Sequence, residues 1–143
     1  MLLVSNQAAG RRGLDTGLPM TRILIVDDQA AFRRQFRQLL ALAGVSVLEA
    51  QDIAEAEMLV RATSLDLAVV DLMMPGVNGL EGVTRLKRLA PTLRVILISA
   101  FRDHTDLFRT AARQAGAETF IAKDDLDLDV VRGWQSAETR APR

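Results

Sequence analysis

Five short apolar runs at similar intervals constrain this chain more than any other feature: Ile23-Leu-Ile-Val26, Val45-Ser-Val-Leu48, Leu67-Ala-Val-Val70, Val95-Ile-Leu-Ile98 and Thr119-Phe-Ile-Ala122. Each has the length of a β-strand and is mostly β-branched or large aliphatic. Most do not alternate with polar residues, so they suit strands buried on both faces rather than on one. The segments between them have helical spacing. Phe32, Phe36, Leu39, Leu40 and Ala43 fall on one face, with Arg33, Arg34 and Arg37 on a solvated opposite face. Four more buried faces follow: Ile53, Ala56 and Val60; Leu80, Val83 and Leu86; Leu107, Phe108, Ala111 and Ala115; Val130, Val131 and Trp134. Strand and helix alternate five times, which calls for right-handed βαβ crossovers and a parallel sheet covered by helices on both sides.

The expected class is α/β, a doubly wound (βα)5 fold of flavodoxin-like type. The second and fifth runs carry polar residues (Ser46; Thr119 after Glu118), which places them at the edges of a five-stranded sheet in the order 2-1-3-4-5. Residues 1–20 lack apolar periodicity and read as a flexible extension, residues 21–137 as one domain, and residues 138–143 as a frayed tail. The 143 residues balance 18 Lys+Arg against 18 Asp+Glu, so no basic surface for direct nucleic-acid binding is expected. The absence of cysteine removes disulfides, thiol chemistry and Cys-ligated metals, and one histidine argues against His-rich sites. The opening Met1-Leu-Leu-Val4 is too short for a secretory core and no apolar stretch approaches a membrane span, so a cytoplasmic protein without membrane contact is expected.

Open α/β sheets place their sites beyond the carboxyl ends of the strands. Here run one ends in Asp27-Asp28, run three in Asp71, run four in Ser99 and run five in Lys123. In the order 2-1-3-4-5 the first and third runs are neighbours, which brings the three acids together at the switch point of the crossovers. Carboxylates at close range raise one another's pKa, and the ordinary relief is a hard divalent cation with oxygen ligands, for which Mg²⁺ is the natural choice. The Lys123 ammonium and Ser99 hydroxyl add donors suited to an incoming phosphoryl group, with Asp71 as its nucleophile.

These residues lie in five motifs that resemble a response-regulator receiver domain of two-component signalling: Ile23-Leu-Ile-Val-Asp-Asp28, Val69-Val-Asp-Leu-Met-Met-Pro-Gly-Val-Asn-Gly79, Ile96-Leu-Ile-Ser-Ala100, Ala115-Gly-Ala117 and Phe120-Ile-Ala-Lys123. The resemblance covers residues 21 to about 137. It implies that Asp71 is the phospho-acceptor, that Asp28, Asp71 and the backbone carbonyl of Met73 bind Mg²⁺, and that Asp27 helps through water. It also implies that Lys123, Ser99 and the amides of Met73 and Ala100 contact the phosphoryl group. Phe120 is the implied switch aromatic, entering space vacated by Ser99 and altering the surface of the fourth helix, fifth strand and fifth helix. The implied partners are a sensor histidine kinase or phosphotransfer protein, a downstream protein target, and a second copy of the chain through that surface. The chain would then be no enzyme beyond catalysing its own phosphorylation and dephosphorylation.

Two departures bear on these expectations. Where the family often has Pro after the lysine, this chain has Asp124-Asp125, expected to cap the fifth helix. Gly133 is expected to shorten that helix, which weakens the case for a dimer through it. Phe32, Arg33 and the Lys-Asp ending resemble the subclass usually followed by a helix-turn-helix output domain, absent here, leaving a single-domain regulator or a receiver cut from a longer protein.

Other readings compete. Asp28 alone suits a helix cap, His104 a solvent-facing residue, Met74 a core plug beside Met73 at the site rim, and Gly76, Gly79 and Gly82 turn and packing positions. Met73 and Phe101 are expected to tune attack by water on the phosphorylated form. A phosphatase resembling the haloacid dehalogenase family would want an acid two residues after its nucleophile, where Met73 stands. A flavodoxin-like cofactor binder would want a phosphate-cradling loop where Asp27 and Asp28 stand. A degenerate receiver acting as a phosphorylation-independent interaction module remains the alternative.

Overall fold

The computed structural model of the chain describes residues 21–100 and 106–140. Expectations for residues 1–20, Phe101, His104 and 141–143 lie outside the described residues. In chain order the elements are β1 (Arg22–Val26), α1 (Ala30–Leu42), β2 (Ser46–Ala50), α2 (Ile53–Ala62), β3 (Leu67–Asp71), α3 (Gly79–Leu89), β4 (Arg94–Ser99), α4 (Asp106–Ala115), β5 (Thr119–Ala122), a 3-10 turn (Lys123–Asp125) and α5 (Leu128–Arg140). The strands pair in parallel in the order β2-β1-β3-β4-β5. The apolar runs thus form one doubly wound α/β sheet, with the two polar-marked runs at its edges.

The two-residue period of a strand sends alternate side chains into two separate cores. Leu24, Val26, Ala68, Val70, Val95 and Leu97 face Ile53 and Ala56 of α2, Val83 and Leu86 of α3, and Ala112 of α4. Ile23, Ile25, Leu67, Val69, Ile96 and Ile98 face Phe36 and Leu40 of α1 and Val131 and Trp134 of α5. All strand residues of β1 after Arg22 are fully buried, which is why the run shows no polar alternation. Among the described residues, no helix is long and apolar enough to cross a membrane.

Several local expectations need correcting. Leu107 and Phe108 do not form a buried face: α4 rests on the sheet through Ala112, Leu107 is 76% exposed, and Phe108 is 41% exposed while its ring lies 6.1 Å from that of Phe120. Asp28 does not cap α1; the Asp27 carboxylate turns back to accept from the Gln29 amide at 2.8 Å, and Asp28 is exposed. Asp124 and Asp125 do not cap α5, because the 3-10 turn consumes them, and Asp127 accepts from the Val130 amide at 2.9 Å instead. Gly133 does not shorten α5, whose backbone continues to Arg140, past the expected boundary at 137. One glycine costs a helix only about 1 kcal/mol, and buried Val131 and Trp134 on either side hold it to the sheet. At the end of the sheet opposite the strand carboxyl termini, Arg94 forks onto Glu118 with bonds of 2.8 and 2.7 Å and donates to the Trp134 carbonyl at 2.9 Å, tying α5 to β4 and the start of β5.

The spaced glycines behave as turn and packing residues. Gly76 takes a φ of 78° in the loop after β3, a conformation that favours glycine. Gly79 opens α3 so close to β3 that a Cβ there would lie 2.5 Å from the Asp71 carbonyl oxygen and 2.7 Å from the Leu72 Cα. Both obstacles are backbone, so Gly79→Ala must displace the start of α3 and is expected to lower stability by about 1–3 kcal/mol in urea unfolding. Gly133 has open space around its Cβ position, and Gly133→Ala should raise stability by roughly 0.5–1 kcal/mol. Equal effects of the two substitutions would contradict the packing argument.

Candidate functional site

The sheet register assembles the site. Val26 of β1 pairs with Val70 of β3, so Asp27 and Asp71 leave adjacent strands at the same level. Asp71 in turn pairs with Ile98, and Ser99 with Ala122, which puts Ser99 and Lys123 at the same carboxyl edge. Asp27 and Ser99 are fully buried, Asp71 is 4% exposed, and Asp28 stands in solvent. One carboxylate oxygen from each of Asp27, Asp28 and Asp71 lies within 4.8 Å of the others. Met74 is buried in the core and Met73 is exposed at the rim of the loop.

Lys123 is the cation at the centre. Its Nζ lies 2.7 Å from Asp27 Oδ2 and 3.8 Å from Asp71 Oδ1. It also lies 4.2 Å above the ring centroid of Phe32. Asp27 Oδ1 is satisfied by the Gln29 amide, but among the described residues buried Oδ2 has no partner of hydrogen-bonding geometry even with the ammonium close by. Asp71 has a pKa raised to about 6, first by burial and next by the charge of Asp27. Lys123 and the Met73 amide, which donates to the Asp71 carboxylate, pull the other way without cancelling the shift, and Asp28 adds to it.

Among the described residues, one ammonium stands against three carboxylates, which leaves this group short of positive charge. Hard oxygen donors, two of them buried, together with a buried carboxylate oxygen lacking a hydrogen bond, fit a divalent ion such as Mg²⁺, which keeps part of its water shell.

Two neighbours of the site were not legible as such. Arg33 is not on a solvated face: its side chain is 16% exposed, Nη1 donates to the Asp27 carbonyl at 2.6 Å, and Nε pairs with Glu49 at 2.9 Å. Glu49 also pairs with Arg37 at 2.6 Å, and these arginines, Arg37 foremost, hold its carboxyl below the usual range. The one available signal was Glu49, an acid within a strand beside a helix carrying Arg33 and Arg37 at i, i+4. Phe32 meets Lys123 across a separation in sequence that no periodicity reports.

The raised pKa of Asp71 has a definite sign for stability. Between about pH 4 and pH 6 the unfolded chain loses this proton while the folded chain keeps it, so stability falls as pH rises through that window and levels off above it. In the presence of a chelator, Asp71→Asn is therefore expected to flatten that slope and to raise stability at pH 7.5 by up to about 3 kcal/mol. A variant no more stable than the parent at pH 7.5 in urea titrations, or one with an unchanged slope between about pH 4 and pH 6, would refute the electrostatic account.

Comparison with known proteins identifies the family. The sequence pattern described as the response regulator receiver domain matches residues 23–131. The chain is 38% identical over 102 residues to the response regulator MprA of Mycolicibacterium vanbaalenii, covering 71% of this chain and 43% of the relative. It is 34% identical over 110 residues to a cyclic di-GMP phosphodiesterase of Thermotoga maritima, covering 77% of this chain and 28% of the relative. The chain thus spans half or less of the length of these curated relatives. A chain in the CheX-CheY-BeF3-Mg²⁺ complex from Borrelia burgdorferi superimposes with a TM-score of 0.74 at 29% identity, covering 87% of this chain and 92% of that one. A match that begins in β1 and runs through every strand into α5 makes this chain a member of the response regulator receiver domain family.

Proposed function

We propose that the chain is a phosphorylation switch in which Asp71 accepts a phosphoryl group from the phosphohistidine of a sensor histidine kinase or phosphotransfer protein, or from a small acyl phosphate. Family membership carries the general activity, phosphoryl acceptance in two-component signalling. The observation supporting the residue assignment is the buried Asp71 carboxylate, grouped with two further acids and within 3.8 Å of the Lys123 ammonium. The activity named for the Thermotoga relative is not carried over, since the match covers 28% of that protein.

An Asp71 carboxylate oxygen attacks phosphorus in line. The bond from phosphorus to the imidazole nitrogen, or to the acyl oxygen, breaks as the Asp71 O–P bond forms, and the imidazole or carboxylate departs with the electron pair. Asp28, Asp71 and the Met73 carbonyl would hold Mg²⁺, with Asp27 assisting through water; when bound, the ion supplies positive charge against the phosphoryl oxygens. Lys123 exchanges its Asp27 contact for a phosphoryl oxygen, while the Ser99 hydroxyl and the amides of Met73 and Ala100 donate to the others. A covalent dianion among buried groups then biases a two-state element.

Phe120 is the proposed switch aromatic. It lies on β5 opposite Leu97 of β4, is buried, and has the Phe108 ring of α4 at 6.1 Å. A change at Ser99 would therefore be felt at a surface where Leu107 and Phe108 already expose apolar area. This surface of α4, β5 and α5 is proposed to engage a downstream protein or a second copy of the chain. Exposed Met73 is placed to regulate approach of water and hence the lifetime of the anhydride.

Incubation with Mg²⁺ and acetyl phosphate, followed by intact-mass measurement, is expected to show one added phosphoryl group on the wild type and none on Asp71→Asn or on wild type with excess chelator. No adduct on wild type, under conditions that phosphorylate an active receiver, would favour a phosphorylation-independent interaction module.

A further inference from the structure

Among the described residues Lys123 is met by Asp27, Asp71 and Phe32, and the last of these is not an acid. Its ammonium stands above the ring of Phe32, 4.2 Å from the centroid. The side chain of Lys123 is 11% exposed, so the ring and the carboxylates replace most of the water an ammonium would otherwise keep. Phe32 is only partly buried on the first turn of α1, yet its ring is backed. Phe36 lies behind it with centroids 5.5 Å apart, and Trp134 meets Phe36 edge-on at 6.3 Å. The adjacent Arg33 fastens the same turn to the Asp27 carbonyl and to Glu49. Ring and acidic loop are thus parts of one braced unit.

Two carboxylates at unequal distance do not by themselves hold an ammonium where a third anion will arrive. An aromatic face attracts the cation through its quadrupole from a direction the carboxylates leave open, and it blocks water there. The attraction reaches about 6 Å from the centroid, so a shift of Nζ from Asp27 toward a group on Asp71 keeps the ring in range.

We propose that Phe32 is a positioning residue for phosphoryl transfer, its ring face holding the Lys123 ammonium at the shared edge of Asp27 and Asp71 where the incoming group must be met. The proposal rests on Asp71 being the acceptor. It requires an aromatic face and not merely apolar volume, which separates it from a packing role.

The test uses the full chain with Mg²⁺ and acetyl phosphate, and reads initial rates of phosphoryl gain by intact mass. Phe32→Leu is expected to react about fivefold more slowly, the factor equivalent to ~1 kcal/mol for a cation–π contact. Phe32→Tyr, which keeps the face, should stay within about twofold of wild type. In proton spectra of the wild type, the Lys123 ε-methylene should carry an upfield ring-current shift that Phe32→Leu loses and Phe32→Tyr retains, with the emission of Trp134 reporting an intact fold. If Phe32→Leu keeps pace with wild type, if Phe32→Tyr is as slow as Phe32→Leu, or if wild type shows no ring-current shift, the positioning role is overturned while Asp71 stands. If wild type gains no phosphoryl group, the reading of Asp71 falls and this proposal falls with it.

Discussion

The accumulation of three carboxylates against one ammonium among the described residues, at the carboxyl edge of a buried sheet, is the constraint around which the rest of the molecule is arranged. Charge repulsion at that density costs stability, and a fold tolerates it only where surrounding structure dictates the position of each acid. Asp27 is fixed by its own turn, by the Gln29 amide and by Arg33 on its carbonyl; Asp71 is fixed as the last residue of a fully buried strand. The raised pKa of Asp71 records its burial first and the charge of Asp27 next.

Holding the acids in place requires strands that cannot slip. Parallel strands buried on both faces meet this need, because any shift of register would expose apolar side chains to solvent or bury loop polar groups. The close approach of Gly79 to the Asp71 carbonyl belongs to the same design. It lets α3 begin directly against the strand that carries the central carboxylate, with Met73, Pro75 and Gly76 exposed in the loop between them.

Strand positions, sheet order and the meeting of Asp27, Asp28 and Asp71 were all legible in the sequence, since each follows from local pattern plus the general rules for crossovers. What escaped was decided by tertiary contacts. Arg33 looks like any basic residue on an outer helix face, and only the position of Glu49 on the neighbouring strand turns it inward. Leu107 satisfies helical spacing, yet the helix rolls so that the small Ala112 meets the sheet instead. Asp127 in place of Asp124 or Asp125 as the cap of α5 depends on an intervening 3-10 turn that no periodicity announces. The contact of Phe32 with Lys123 joins the two ends of the domain and leaves no trace in either segment.

The network of Arg33, Arg37 and Glu49 also bears on how the protein behaves among its own copies. β2 is an edge strand, and an edge strand is a template on which another chain can add itself. Arg37 pairs with Glu49 and donates to the Val47 carbonyl at 3.3 Å, so a guanidinium already occupies a strand carbonyl that an intruding strand would use. The side chains that secure the acidic loop thereby also guard the sheet's open flank against aggregation, and a substitution made there to adjust signalling would affect solubility as well.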